Sequence, residues 1–79
     1  MDRIKIVYDI IIAIWQTIKP YVDNVPKDIE TWNRITDELE QKKHSINGLD
    51  KFENRCEEWL YNKLAADFIL YLSERSKNA

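Results

Sequence analysis

At 79 residues the chain lies near the lower end of what folds unaided, since a polypeptide of that length buries only about 60% of its unfolded surface. One glycine and two prolines supply too few turn residues for a strand-and-turn fold, and a single cysteine excludes an internal disulfide. Twelve Lys and Arg against fourteen Asp and Glu, a net charge of −2, give neither the basic patch of a nucleic-acid binder nor the acidity of a DNA mimic.

The first element is a helix over about 3–19. Ile4, Val7, Tyr8, Ile11, Ile14, Trp15 and Ile18 follow an i, i+3, i+4, i+7 series, with Asp2 as the N-cap. Alternating Ile4, Ile6, Tyr8, Ile10, Ile12 and Ile14 also suits a strand, but no second segment offers it a pairing edge. The helix is apolar well beyond one face. Ile6, Ile10 and Ala13 widen the main stripe and Ile12 borders the polar wedge of Lys5, Asp9, Gln16 and Lys19. That arc is at least twice the roughly 100° of a one-faced amphipathic helix. Either two other helices enclose it, or part of it meets a second chain.

Pro20 removes a backbone donor, so the first helix ends or kinks there. A second helix is expected over about 26–44, with Pro26 in its first turn and Asp28 and Glu30 complementing its dipole. Ile29, Trp32, Ile35 and Leu39 form its inward face, opposite the charge ladder Glu30, Arg34, Glu38 and Lys42. Ser45-Ile46-Asn47-Gly48 is the clearest break in the chain, and Asn47 with Asp50 reads as a capping box for a third helix.

That third helix, about 49–75, would be roughly 40 Å long. Its apolar face moves from Leu49, Phe52, Cys56, Trp59 and Leu60 to Leu64, Phe68, Tyr71 and Leu72, with Asn62 as a possible bend. Phe52, Cys56, Leu60, Leu64, Phe68 and Leu72 make an i+4 row, which favours a steep crossing. The expected fold is therefore all-α: a three-helix bundle formed by one domain over 1–79, with a long, steeply crossing C-terminal helix. Trp15, Trp32 and Trp59 each lie on an inward stripe and are expected to share one aromatic core, while Tyr21, Tyr61 and Tyr71 suit the rim of a contact.

Chemistry-bearing patterns are sparse. His44 follows Glu40 by one helical turn, but no further clustered ligand joins them, so no metal site is expected. Cys56 on an apolar face reads as core packing. Glycine-rich phosphate loops, nucleophile elbows and zinc spacings do not occur. Neither a catalytic group nor a cofactor is expected, and the chain reads as non-enzymatic. Asp9 interrupts the apolar stretch that follows MDRIK, against a signal peptide. The longest apolar run, Ile10 to Trp15, falls far short of the about 20 residues that span a bilayer. With the single cysteine pointing to a reducing compartment, a cytoplasmic location is expected.

Two stretches, IWQTIKPYVDN before a Trp-containing acidic helix and LAADFILYLSERSK near the C-terminus, resemble small helical proteins of phages and integrated elements in Gram-positive bacteria. The likeness covers most of the chain through helix patterning and aromatic placement, and Pro20 departs from it by interrupting the first helix. It implies an accessory protein that acts by binding.

The excess apolar surface points to self-association, most simply as a homodimer. Ile6, Ile10, Ile12 and Ala13 of the first helix and Tyr61, Ala65, Phe68, Ile69, Tyr71 and Leu72 of the third are the candidate interface. An inhibitor of a host enzyme or defence complex, in the manner of anti-CRISPR proteins, is the alternative; it would bind through Asp37, Glu38, Glu57 and Glu58. A helical DNA-binding module built around Ser45 to Gly48 is a further one, opposed by the near-neutral charge.

Overall fold

The computed structural model describes residues 3–78, so the N-cap expected at Asp2 lies outside the described residues. Among those described there are three α-helices and no strand: α1 (Arg3–Ile18), α2 (Ile29–Ser45) and α3 (Arg55–Lys77). The all-α three-helix fold is the expected one.

Pro20 ends α1 as its missing N–H requires. The chain tightens into a 3-10 turn, Lys19–Tyr21, closed by the Val22 amide donating to the Lys19 carbonyl at 3.3 Å. The start of α2 falls later than Pro26 predicts. Pro26 is buried in the connection, and Asp28, in extended conformation, takes the N-cap position. After Ser45, Ile46 and Leu49 turn inward and Gly48 adopts φ 84°, which a side chain would disfavour.

The expected capping box at Asn47 and Asp50 does not form a helix start. A 3-10 turn, Phe52–Asn54, intervenes, and α3 begins at Arg55. Asn54 closes this corner: its buried side-chain amide donates to the Gly48 carbonyl at 2.7 Å. From there α3 runs without interruption past Asn62.

Interhelix ties fix the directions. Glu58 meets Lys43 at 3.4 Å, and the Tyr61 hydroxyl donates to the Leu39 carbonyl at 2.5 Å, so α2 and α3 are antiparallel. Arg3 meets Glu57 at 3.7 Å and the Arg75 guanidinium donates to the Val22 carbonyl, so α1 and α3 run the same way.

The core is built on one row of α1. Ile6, Ile10, Ile14 and Ile18 are spaced a turn apart and fully enclosed, facing Ile35 and Leu39 of α2, Ile46 and Leu49 of the connection, and Tyr61 and Leu72 of α3. Burying each such isoleucine contributes about 1.5–3 kcal/mol. Thr17 joins the row by donating its hydroxyl to the Ala13 carbonyl at 3.0 Å, which satisfies the polar group within its own helix.

This row corrects the expected orientation of α1. Of the predicted inward series, only Ile14 and Ile18 are buried; Ile4, Tyr8, Ile11 and Trp15 are exposed. The shared aromatic core is likewise absent: Trp15 and Trp59 are 43% and 64% exposed, and Trp32 only borders the core. Two covering helices enclose a limited arc, and compact isoleucines fill it at close approach. Three indoles would hold the helices further apart than so short a chain can seal.

Candidate interaction surface

Four of the residues expected at an interface are core instead. Ile6, Ile10, Tyr61 and Leu72 are buried because they fill the space between the helices. Ile12 and Ala13 are half-buried and border a shallow depression shared with Lys42, Ser45 and Ile46, next to the end of α2. Ala65, Phe68 and Ile69 pack against the core from its edge, and Tyr71 is exposed. The expected helices thus carry outward apolar surface, on other residues in α1 and in part on the expected Phe68 and Tyr71 in α3.

On α1 that surface is Tyr8, Ile11 and Trp15, 58%, 50% and 43% exposed, with Ile4 continuing the line toward the N-terminus. The stripe lies on the side of α1 opposite Asp9, Ala13 and Gln16, which face the end of α2. On α3, Leu64, Phe68 and Tyr71 line a shallow depression with Asp67. By the helical repeat, Leu64 and Tyr71 lie away from Glu58, the residue that reaches α2. Both flanks therefore turn away from α2 and border the seam where α1 meets α3.

A second apolar patch lies at the start of α3. Phe52, Cys56, Trp59 and Leu60 line an open depression edged by Glu53 and Arg55, whose guanidinium sits 5.1 Å from the Phe52 ring centre. Cys56 is exposed here, not packed in the core as expected. Phe52 and Ile29, both expected to face inward, are exposed as well. For each, the expected helix begins later than predicted, leaving Ile29 at the start of α2 and Phe52 in the turn before α3, beyond the core's reach.

The proposed acidic face does not hold together. Glu57 is buried beside Arg3, Glu58 is drawn to Lys43, and Glu38 pairs with Lys42 at 3.4 Å, leaving Asp37 exposed on the outer side of α2. Two of the four carboxylates thus tie α3 to its neighbours. Glu40 contacts His44 at 3.0 Å on the surface, and no group of three metal-ligating side chains occurs among the described residues. No described helix is long and apolar enough to cross a membrane.

Among the described residues, Tyr61 is the one strongly shifted titratable group. Burial, and secondarily the Glu40 carboxylate, push its phenol up to about 12. Its hydroxyl is committed to the Leu39 carbonyl and its ring to the core, so this shift reflects packing.

A scan against protein-family models, a search of curated proteins and a search of solved structures each return no match. Sequence reasoning missed the outward stripe of α1. The signal for it was present: four isoleucines on a single i+4 row form a narrower and more uniform face than the mixed aromatic series beside them.

Proposed function

We propose that this chain is a non-enzymatic protein-interaction module, acting in the cytoplasm as an accessory protein of a phage or integrated element. The exposure of Tyr8, Ile11 and Trp15 carries this reading. These side chains sit on a helix whose neighbouring isoleucine row is fully enclosed, so they are held in fixed positions and still face water. Contiguous apolar surface of this kind marks contact sites on small proteins, and Trp and Tyr are the residues that anchor such contacts.

The test is affinity purification of the tagged chain from the cells that make it, beside an Ile11→Glu/Trp15→Glu variant whose helicity is checked by circular dichroism. The wild type is expected to retain one stoichiometric protein, either an untagged copy of itself or another chain, and the variant to release it. Equal retention by a folded variant, or none by the wild type, overturns the proposal.

A further inference from the structure

We propose that the occupant of the α1–α3 face is a second copy of this chain, with the two α1 helices antiparallel and Tyr8 of each over Ile11 of the other. This rests on the reading of the chain as an interaction module and names its partner. Ile4, Tyr8, Ile11 and Trp15 are spaced by four, three and four residues, a pattern that reads the same in both directions. A two-fold axis between Tyr8 and Ile11 therefore brings every member of the stripe onto a member of its copy, as an isologous contact requires. Each layer then joins one aromatic ring to one isoleucine: Tyr8 to Ile11, and Trp15 to Ile4. A parallel arrangement would stack indole on indole and leave isoleucine layers too thin to close between them.

The paired charges on α1 and α3 suit a like surface. Lys5 is paired with Asp9 at 2.5 Å and Lys63 with Asp67 at 3.5 Å, and the chain carries only −2 overall. Two copies can therefore approach without strong repulsion.

Area favours the same occupant. A stable interface takes roughly 800 Å² from each partner, about the outline of one long side of a body measuring 42 × 19 × 16 Å. A short peptide on α1 alone would leave most of that area wet. A second copy lying lengthwise also brings the Leu64, Phe68 and Tyr71 flank of α3 toward the contact.

Sedimentation velocity on the full chain tests both the partner and the register. The wild type is expected to be a dimer at high micromolar concentration that dissociates on dilution. Tyr8→Glu and Ile11→Lys, both on the exposed side of α1, should each weaken association by roughly thirtyfold or more, the scale of a central contact residue. Their far-ultraviolet circular dichroism should remain that of the wild type. An equimolar mixture of the two variants should recover a dimer, because the antiparallel register sets Glu at position 8 against Lys at position 11 in one layer and keeps the native pair in the other. A dimer that tolerates either substitution, or a mixture no tighter than the single variants, overturns the register. A wild type that is strictly monomeric overturns the second copy as occupant. If that monomer still captures another protein through Ile11 and Trp15, the broader reading of the chain as an interaction module stands.

Discussion

Ile10→Ala is expected to lower the unfolding free energy by roughly 2–5 kcal/mol, and Ile11→Ala by less than about 1 kcal/mol. The two residues are neighbours of the same type on the same helix. Ile10 is fully enclosed between α2 and α3, and its truncation leaves a cavity that surrounding side chains only partly refill. Ile11 is half exposed, and its truncation mainly removes surface already in contact with water. For a small domain whose total stability is about 5–15 kcal/mol, the first change removes a large share and the second little. Urea unfolding at a concentration low enough to exclude association measures both. Equal losses would mean that α1 is not oriented as described.

The second expectation concerns alkaline pH. The folded chain holds the Tyr61 proton up to about pH 12, whereas the unfolded chain releases it near 10. Below pH 10 both states are protonated and the full stability is present. As pH rises from 10 toward 12 the unfolded state loses its proton first and is favoured, so stability falls. At about 1.4 kcal/mol for each tenfold change in proton affinity, the loss is on the order of 2–3 kcal/mol. Tyr61→Phe removes the bond to the Leu39 carbonyl, costing about 1 kcal/mol at neutral pH, and removes this part of the pH dependence. The urea midpoint of the wild type should therefore start above that of the variant and fall below it between pH 10 and 12. Parallel curves would contradict the burial of the phenol.

Helix number and the breaks at Pro20 and Gly48 were legible in the sequence because they depend on local chemistry: a missing donor, a left-handed residue and a helical period. The orientation of α1 was not. Its surface carries two apolar series, and the helix alone has no preference between them. The choice belongs to α2 and α3, which close tightly over a row of isoleucines and would be held apart by Tyr8 and Trp15. The starts of α2 and α3 moved for a related reason. Pro26 and Leu49 fit start signals, yet both side chains are buried ahead of their helices, which begin several residues later. Exposed apolar side chains lie on the helices expected to carry them, but on α1 they are other residues, because exposure is what remains after packing is settled.

The packing between helices also sets an order of events during folding. α1 lies against α2 more extensively than α3 does, and their near ends meet where Tyr21 and Thr31, ten residues apart, line one depression. Tyr61 reaches Leu39 across 22 residues and Arg75 reaches Val22 across 53. Closing the longer of these two loops costs about 0.8 kcal/mol more in chain entropy when nothing else has formed. The α1–α2 pair is therefore expected to form first, with α3 docking onto it afterwards. Pulse-labelled hydrogen exchange should then show amides of α1 and α2 protected before those of α3, and simultaneous protection would argue against it. Until α3 docks, the isoleucine row is covered on one side only, and the arriving helix completes the choice of which apolar series becomes the inside of the protein.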